Sequence, residues 1–193
     1  MSSLDPDPPR TLAVALGANL PSKIGLPKQT LIAVRPKLEK TIKEWSFVEL
    51  QTVKNIEDTN EGIRFRWSPL FETDPIGGPK EQPNYVNAVV VIDGPKLWDL
   101  KPSKNSALAL LDRFLNLEQE FGRQRQDADI KWGPRALDLD LLAWGGLQVK
   151  ADALTLPHPR LLERSFVVVP LAAAITEGTH PPRRLNSVPG WNE

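Results

Sequence analysis

The stretch Lys131-Trp132-Gly133-Pro134-Arg135-Ala136-Leu137-Asp138-Leu139-Asp140-Leu141 alternates apolar and acidic side chains from Leu137 onward. A repeat of two is the pattern of a strand with one buried face. On a strand, Asp138 and Asp140 point to the same side, about 7 Å apart at a rise of ~3.3 Å per residue. On a helix they would diverge by roughly 200°, because each residue turns the chain about 100°. Two carboxylates aimed at one spot repel each other unless a cation or cationic side chains stand between them. The simplest chemistry for such a pair is Mg²⁺ held by hard oxygen ligands, with a polyphosphate bridging the metal and nearby arginines.

An Asp-x-Asp pair on a strand is, taken alone, more often a solvated polar face. Its surroundings argue otherwise. Arg123, Arg125, Lys131 and Arg135 all fall between residues 123 and 135, directly upstream of the acids. Arginine presents a planar fork that grips phosphate through two bonds, whereas lysine acts as a point charge. Basic clusters also bind nucleic acid, but the two acids that follow would repel a phosphate backbone unless metal intervened.

The composition narrows the alternatives. Lys+Arg and Asp+Glu both number 24 in a chain of 193 residues, so no global field attracts nucleic acid or a membrane, and phosphate binding must be local. The absence of cysteine excludes disulfides, thiolate nucleophiles and thiolate-bound zinc. Residues 1–10 are polar and proline-rich, unlike a signal peptide, and no apolar run approaches the ~20 residues of a membrane span. The expectation is one domain over 11–175, flanked by a disordered leader and an irregular tail at 176–193. The protein is expected to be a cytoplasmic monomer whose partners are small molecules, with no nucleic acid and no membrane.

Along the chain, residues 11–16 read as a buried strand and 28–45 as a helix, carrying Leu31, Ile32, Val34, Leu38 and Ile42, that Pro36 kinks or splits. Strands are expected at 63–72 and 85–93, separated by the breaker-rich loop Thr73-Asp74-Pro75-Ile76-Gly77-Gly78-Pro79. A helix is predicted over 103–121, capped by Ser103, with Leu108, Leu111, Leu115 and Phe121 on its apolar face. After the Asp138 strand, 165–175 reads as a last helix interrupted by Pro170. The order β-α-β-β-α-β is the split βαβ pattern of a ferredoxin-like α+β fold with a mainly antiparallel sheet.

Neither a Gly-x-x-x-x-Gly-Lys-Ser/Thr loop nor a Gly-x-Gly-x-x-Gly fingerprint occurs, so any nucleotide is bound without either device, which favours a metal-and-arginine clamp over a glycine cradle. Tyr85 and Asn87 share a strand face, where a ring beside an amide suits a flat, hydrogen-bonding heterocycle, although a plain strand-edge pair fits equally well. A further cluster, Thr155-Leu156-Pro157-His158-Pro159-Arg160, precedes Arg164 and Phe166, and a lone histidine there is more often structural than catalytic.

Four segments in order, Leu16-Gly17-Ala18-Asn19-Leu20, Gln82 to Ala88, Trp132 to Asp140 and Leu156-Pro157-His158, resemble the 6-hydroxymethyl-7,8-dihydropterin pyrophosphokinase family of folate biosynthesis. The resemblance covers about residues 11–175. It implies transfer of pyrophosphate from ATP to the pterin hydroxymethyl group, leaving AMP. It also implies two Mg²⁺ ions on Asp138 and Asp140, with Arg123 and Arg135 stabilising the phosphate in transfer. Nucleotide contacts would fall to Arg125, Lys131, Leu141, Thr155, His158 and Arg164. Tyr85 and Phe166 would sandwich the pterin, Asn87, Thr73 and the Ile76 backbone would bond its edge, and Trp132 would act as a lid.

Three features depart from the family pattern. Lys131 stands where the family carries arginine, the loop before Trp132 is about two residues longer, and 47–62 reads as an insertion. The resemblance names no clear general base; a metal or Asp138 are the candidates. Two rival readings remain: an RNA-binding ferredoxin-like module, which should carry aromatic-rich central strands and net basic charge, and a regulatory domain that binds nucleotide without turnover.

Overall fold

The computed structural model describes residues 10–51, 62–123 and 132–176. Nearly all of the expected leader, most of the expected insertion and nearly all of the expected tail therefore lie outside the described residues, as do Arg125 and Lys131. The elements run β1 (Leu12–Ala18), α1 (Pro27–Gln51), β2 (Arg64–Trp67), β3 (Phe71–Thr73), β4 (Tyr85–Asp93), α2 (Pro95–Asp99), α3 (Lys104–Glu120), β5 (Asp138–Trp144), β6 (Val149–Lys150), β7 (Thr155–Leu156) and α4 (Ser165–Thr176). The main sheet has the order β2-β4-β1-β5, with β3 also on β4, and every pairing within it is antiparallel.

Helices cover both faces of this sheet, so β1 and β4 read as nearly continuous apolar runs rather than alternating ones. On one face Leu12, Val14, Leu16, Val90, Ile92, Leu139 and Leu141 meet Leu38, Ile42 and Trp45 of α1 and Phe114 of α3. On the other, Ala13, Val89, Val91 and Leu142 meet Val167 and Ala174 of α4. A register shift puts Ala13 opposite Ala143 but Val14 opposite Leu141, so one extra residue on β5 turns Trp144 back into the first layer. There it meets the Trp45 ring edge-on at 5.1 Å. No helix among the described residues is long and apolar enough to cross a membrane.

Four local expectations are corrected. The helix over 28–45 continues to Gln51, and Pro36 does not split it. Pro36 and Ile32 both face solvent, so the carbonyl left without an N–H partner is open to water. The strand predicted over 63–72 breaks into β2 and β3. Residues 68–70 oppose only Ala88 and Val89, Pro69 has no donor, and Ser68 satisfies Val89 through both its N–H and its Oγ, each at 2.9 Å.

Helix α3 begins as expected, with Ser103 Oγ accepting from the Ser106 N–H at 3.1 Å. It buries Ala107, Leu110, Phe114 and Leu117, however, while Leu108 and Leu111 are only partly covered. The segment is apolar on two adjacent stripes, and the observed rotation also turns Glu118 inward to a backbone partner on β5. Helix α4 also runs through its proline: Val167, Pro170 and Ala174 are buried, and packing outweighs one lost hydrogen bond.

Candidate active site

Helix α4 covers only part of its sheet face. Beyond its first turn the face lies open, and three strands present their alternate side chains there. β1 contributes Ala15 and Gly17, β4 contributes Tyr85 and Asn87, and β5 contributes Asp138 and Asp140. The register sets Gly17 opposite Asn87 on one side and Asp138 on the other. A Cβ at Gly17 would sit 3.0 Å from Asn87 Oδ1, so the missing side chain keeps the floor open between the amide and the acids. The resulting cavity of about 250 Å³ is closed by Thr73, Asp74, Ile76, Gln82, Trp132, Arg135, His158, Arg164, Phe166 and Val167.

One end of the cavity is ionic. Asp138 Oδ1 accepts from Arg123 Nη1 at 2.6 Å and from Arg135 Nη1 at 2.9 Å. Arg123 Nη1 also meets Glu118 Oε1 at 2.7 Å. Burial first, and the charge of Asp138 second, push the Asp140 carboxyl up to about 7, with Arg135 offsetting only part of the rise. Burial works against the charge of Arg135, yet Asp138, Tyr85 and Asp140 together hold its pKa above the ordinary value. Burial, then Arg160, draws the pKa of Arg164 down. The Asp140 carboxyl is thus held up chiefly by its burial.

His158 follows a cis Leu156–Pro157 bond, and its N–H donates to Leu142 O at 2.7 Å. Its Nδ1 accepts from the Arg160 N–H at 3.2 Å, which fixes the neutral tautomer with its proton on Nε2. Burial and Arg164 lower its pKa, so the neutral form prevails at pH 7 and the ring offers Nε2–H as a donor.

The other end is flat and amide-lined. Asn87 Nδ2 donates to Thr73 Oγ1 at 2.8 Å, which leaves the Asn87 carbonyl oxygen as an acceptor. Tyr85 donates to Gly133 O at 3.0 Å, and burial raises its pKa, so it remains a phenol. Arg164 lies 5.3 Å from the Phe166 ring centroid and Arg160 4.7 Å from that of Trp132. Trp132 adopts φ 62, a left-handed conformation that is unusual for a bulky residue. Gly77, at φ 78, packs so closely on the Trp132 ring that a Cβ there would come within 2.6 Å of it.

Asn19 joins the two ends. It is 1% exposed; its Oδ1 accepts from the Arg135 N–H at 2.7 Å, and its Nδ2 donates to Pro83 O at 3.0 Å and Gln82 Oε1 at 3.2 Å. Gln82 in turn donates to Gly77 O at 2.8 Å and Trp132 O at 3.3 Å. Asn19→Ala strands these partners away from water and is expected to cost about 1–3 kcal/mol in urea unfolding. An unchanged midpoint would show that water replaces the amide at no cost.

Of the residues singled out in the sequence, Thr73, Ile76, Tyr85, Asn87, Trp132, Arg135, Asp138, Asp140, His158, Arg164 and Phe166 line this cavity, and Arg123 reaches it through Asp138. Leu141 does not: its side chain is 2% exposed in the core on the opposite sheet face, as strand alternation requires one residue after Asp140. Thr155 is exposed on β7 and is not among the lining residues. Sequence reasoning gave no role to Gly17, Asn19, Gln82 or Glu118. The first three lay inside recognised segments, and Glu118 could have been found as an acid in register with the buried stripe of α3.

Residues 13–176 match the family model for 7,8-dihydro-6-hydroxymethylpterin-pyrophosphokinase. Three relatives bear the name 2-amino-4-hydroxy-6-hydroxymethyldihydropteridine pyrophosphokinase, and each is 39% identical over the aligned part. The protein from Pseudomonas aeruginosa aligns over 63% of this chain and 70% of its own length. That from Synechocystis sp. aligns over 60% and 52%, and that from Haemophilus influenzae over 54% and 57%. The alignments thus span little more than half of the latter two proteins.

Proposed function

Because this chain belongs to the 7,8-dihydro-6-hydroxymethylpterin-pyrophosphokinase family, we propose that it transfers the pyrophosphoryl group of ATP to 6-hydroxymethyl-7,8-dihydropterin in folate biosynthesis. The products are AMP and the pterin diphosphate. The observation that carries this reading is the division of one cavity into a carboxylate–arginine end and a flat, amide-lined end, with bare Gly17 between them. In the same reading the strand order and antiparallel directions are those of a ferredoxin-like split βαβ fold, and the protein works as a cytoplasmic monomer.

The donor set suits Mg²⁺. Asp138 and Asp140 share a face of the cavity, and burial raises the Asp140 carboxyl, a cost that a bound cation would offset. Magnesium is commonly held by one or two carboxylates together with substrate phosphates. We assign Asp138 and Asp140 to two such ions, which when bound would neutralise the triphosphate.

The rest is positioning. The pterin alcohol oxygen gives up its proton to the Asp138 carboxylate and attacks the β-phosphorus, the bond from that phosphorus to the α–β bridging oxygen breaks, and AMP leaves. Arg123 and Arg135 meet the negative charge of the transferring group, and His158 Nε2–H and Arg164 hold phosphate oxygens. Arg125, Lys131, Thr155 and the main chain at Leu141 belong to the nucleotide side. Tyr85 and Phe166 flank the pterin ring, while Asn87, Thr73 and the backbone at Ile76 read its edge. Trp132, wedged by Gly77, closes over it and excludes water.

AMP release followed with and without the dihydropterin tests the proposal: AMP should appear only when the pterin is present. ATP left intact in its presence would overturn the reading. The site map is tested separately by Asn87→Ala, which is expected to weaken pterin binding by about 5- to 150-fold, the equivalent of roughly 1–3 kcal/mol, and to leave ATP nearly untouched. Calorimetric titration of an unreactive pterin beside a non-hydrolysable ATP analogue separates the two. Loss of nucleotide affinity with pterin affinity spared would reverse the two ends of the cavity.

A further inference from the structure

Glu118 sits on the buried face of α3 with 1% exposure, deeper than either aspartate of the site. Its Oε1 accepts from the Leu139 N–H at 2.7 Å. Leu139 lies between Asp138 and Asp140 on the edge strand β5. A neutral amide could also accept from that N–H, so the hydrogen bond alone does not require a charged group. A buried carboxylate is sustained by a cationic partner, and one such partner here is Arg123, whose Nη1 is 2.7 Å from the same oxygen. The Arg123 backbone is tied to the same residue, its N–H donating to Glu118 O at 3.0 Å across the turn made by Gly122 at φ 95. Glu118 thus holds both the start and the tip of the Arg123 side chain, while the guanidinium reaches Asp138 Oδ1 at 2.6 Å.

We propose that Glu118 is a positioning residue for the reaction, aiming the Arg123 guanidinium at the phosphate-binding end of the cavity through its negative charge. This rests on the pyrophosphoryl-transfer reading given above. The same oxygen, bound to β5 backbone, keeps the arginine in fixed relation to the two aspartates. The carboxylate itself touches no reacting atom.

The test is Glu118→Gln, which keeps an acceptor for Leu139 but removes the charge, measured alone and combined with Arg123→Ala. Glu118→Gln is expected to lower kcat by roughly tenfold or more while KM for both substrates stays within about threefold, since orientation acts on the transition state. In the Arg123→Ala background the same substitution should do nothing further. An equal effect in both backgrounds, or an unchanged kcat, would overturn the proposal, as would a lowered unfolding midpoint with normal kcat, which is the mark of a purely structural acid. If the unsubstituted protein forms no AMP, it is the functional reading that fails. The cycle of unfolding midpoints then still decides the tether: additive effects of the two substitutions would refute it.

Discussion

Asp140→Asn is expected to bring turnover to background and, in Mg²⁺-free buffer at pH 8, to leave the protein more stable than the unsubstituted chain. The Asp140 carboxyl is raised from 3.8 to about 7, by burial before all else and then by Asp138. Between those values the native protein keeps a proton that the unfolded chain has already lost. The stability this lends is complete below about pH 4 and is lost as the pH rises through about 7. The unsubstituted chain should therefore lose stability across that window, and the asparagine variant should not share the slope. Magnesium ought to reverse the ranking by favouring the ionised carboxylates, and the variant should gain little from it. Chemical unfolding at pH 5 and pH 8, with and without Mg²⁺, beside AMP formation, covers each part. Parallel stability profiles, or surviving turnover, would remove Asp140 from the metal site.

How much of this was legible in the sequence depended on whether local pattern or tertiary partner decides a residue's place. Strand β5 was plain, because Leu139 and Leu141 must face the core and so turn Asp138 and Asp140 together to the other side. Tyr85 and Asn87 followed from the same alternation. Local pattern misled where two answers were equally good locally. Helix α3 has two apolar stripes, and the one that faces the core is the one that brings Glu118 to the Leu139 N–H. Prolines gave the same lesson: Pro36 and Pro170 are helix breakers by propensity, but one faces solvent and the other is pinned against the sheet. The break between β2 and β3 was invisible because its cause, the pairing of Ser68 with Val89, is on a strand twenty-one residues away. Asn19 was hidden for the same reason, its partners being Arg135, Gln82 and Pro83.

Arg123→Ala is expected to slow the chemical step by about 10³-fold while changing ATP affinity by less than about tenfold. Loss of an arginine that meets charge only as it develops in phosphoryl transfer has effects of that order. Arg123 is held between Glu118 and Asp138, two carboxylates that already neutralise it before any nucleotide arrives. Binding ATP to this arginine therefore trades one set of ionic partners for another and gains little. In the transition state charge is spread over the oxygens of the transferring group, and the guanidinium, already close by, meets it after only a local exchange of partners. Arg135 makes the contrast. Its N–H is fixed by Asn19 Oδ1 at 2.7 Å and its Nε by Gly133 O at 3.2 Å, so it is part of the cavity wall before any ligand enters. Removing it should weaken nucleotide binding and the chemical step together. Single-turnover kinetics beside equilibrium binding of a non-hydrolysable analogue distinguishes the two arginines. If Arg123→Ala binds ATP weakly yet reacts at the normal rate once saturated, this arginine is a ground-state clamp, and the residue that stabilises the transferring phosphate must be Arg135.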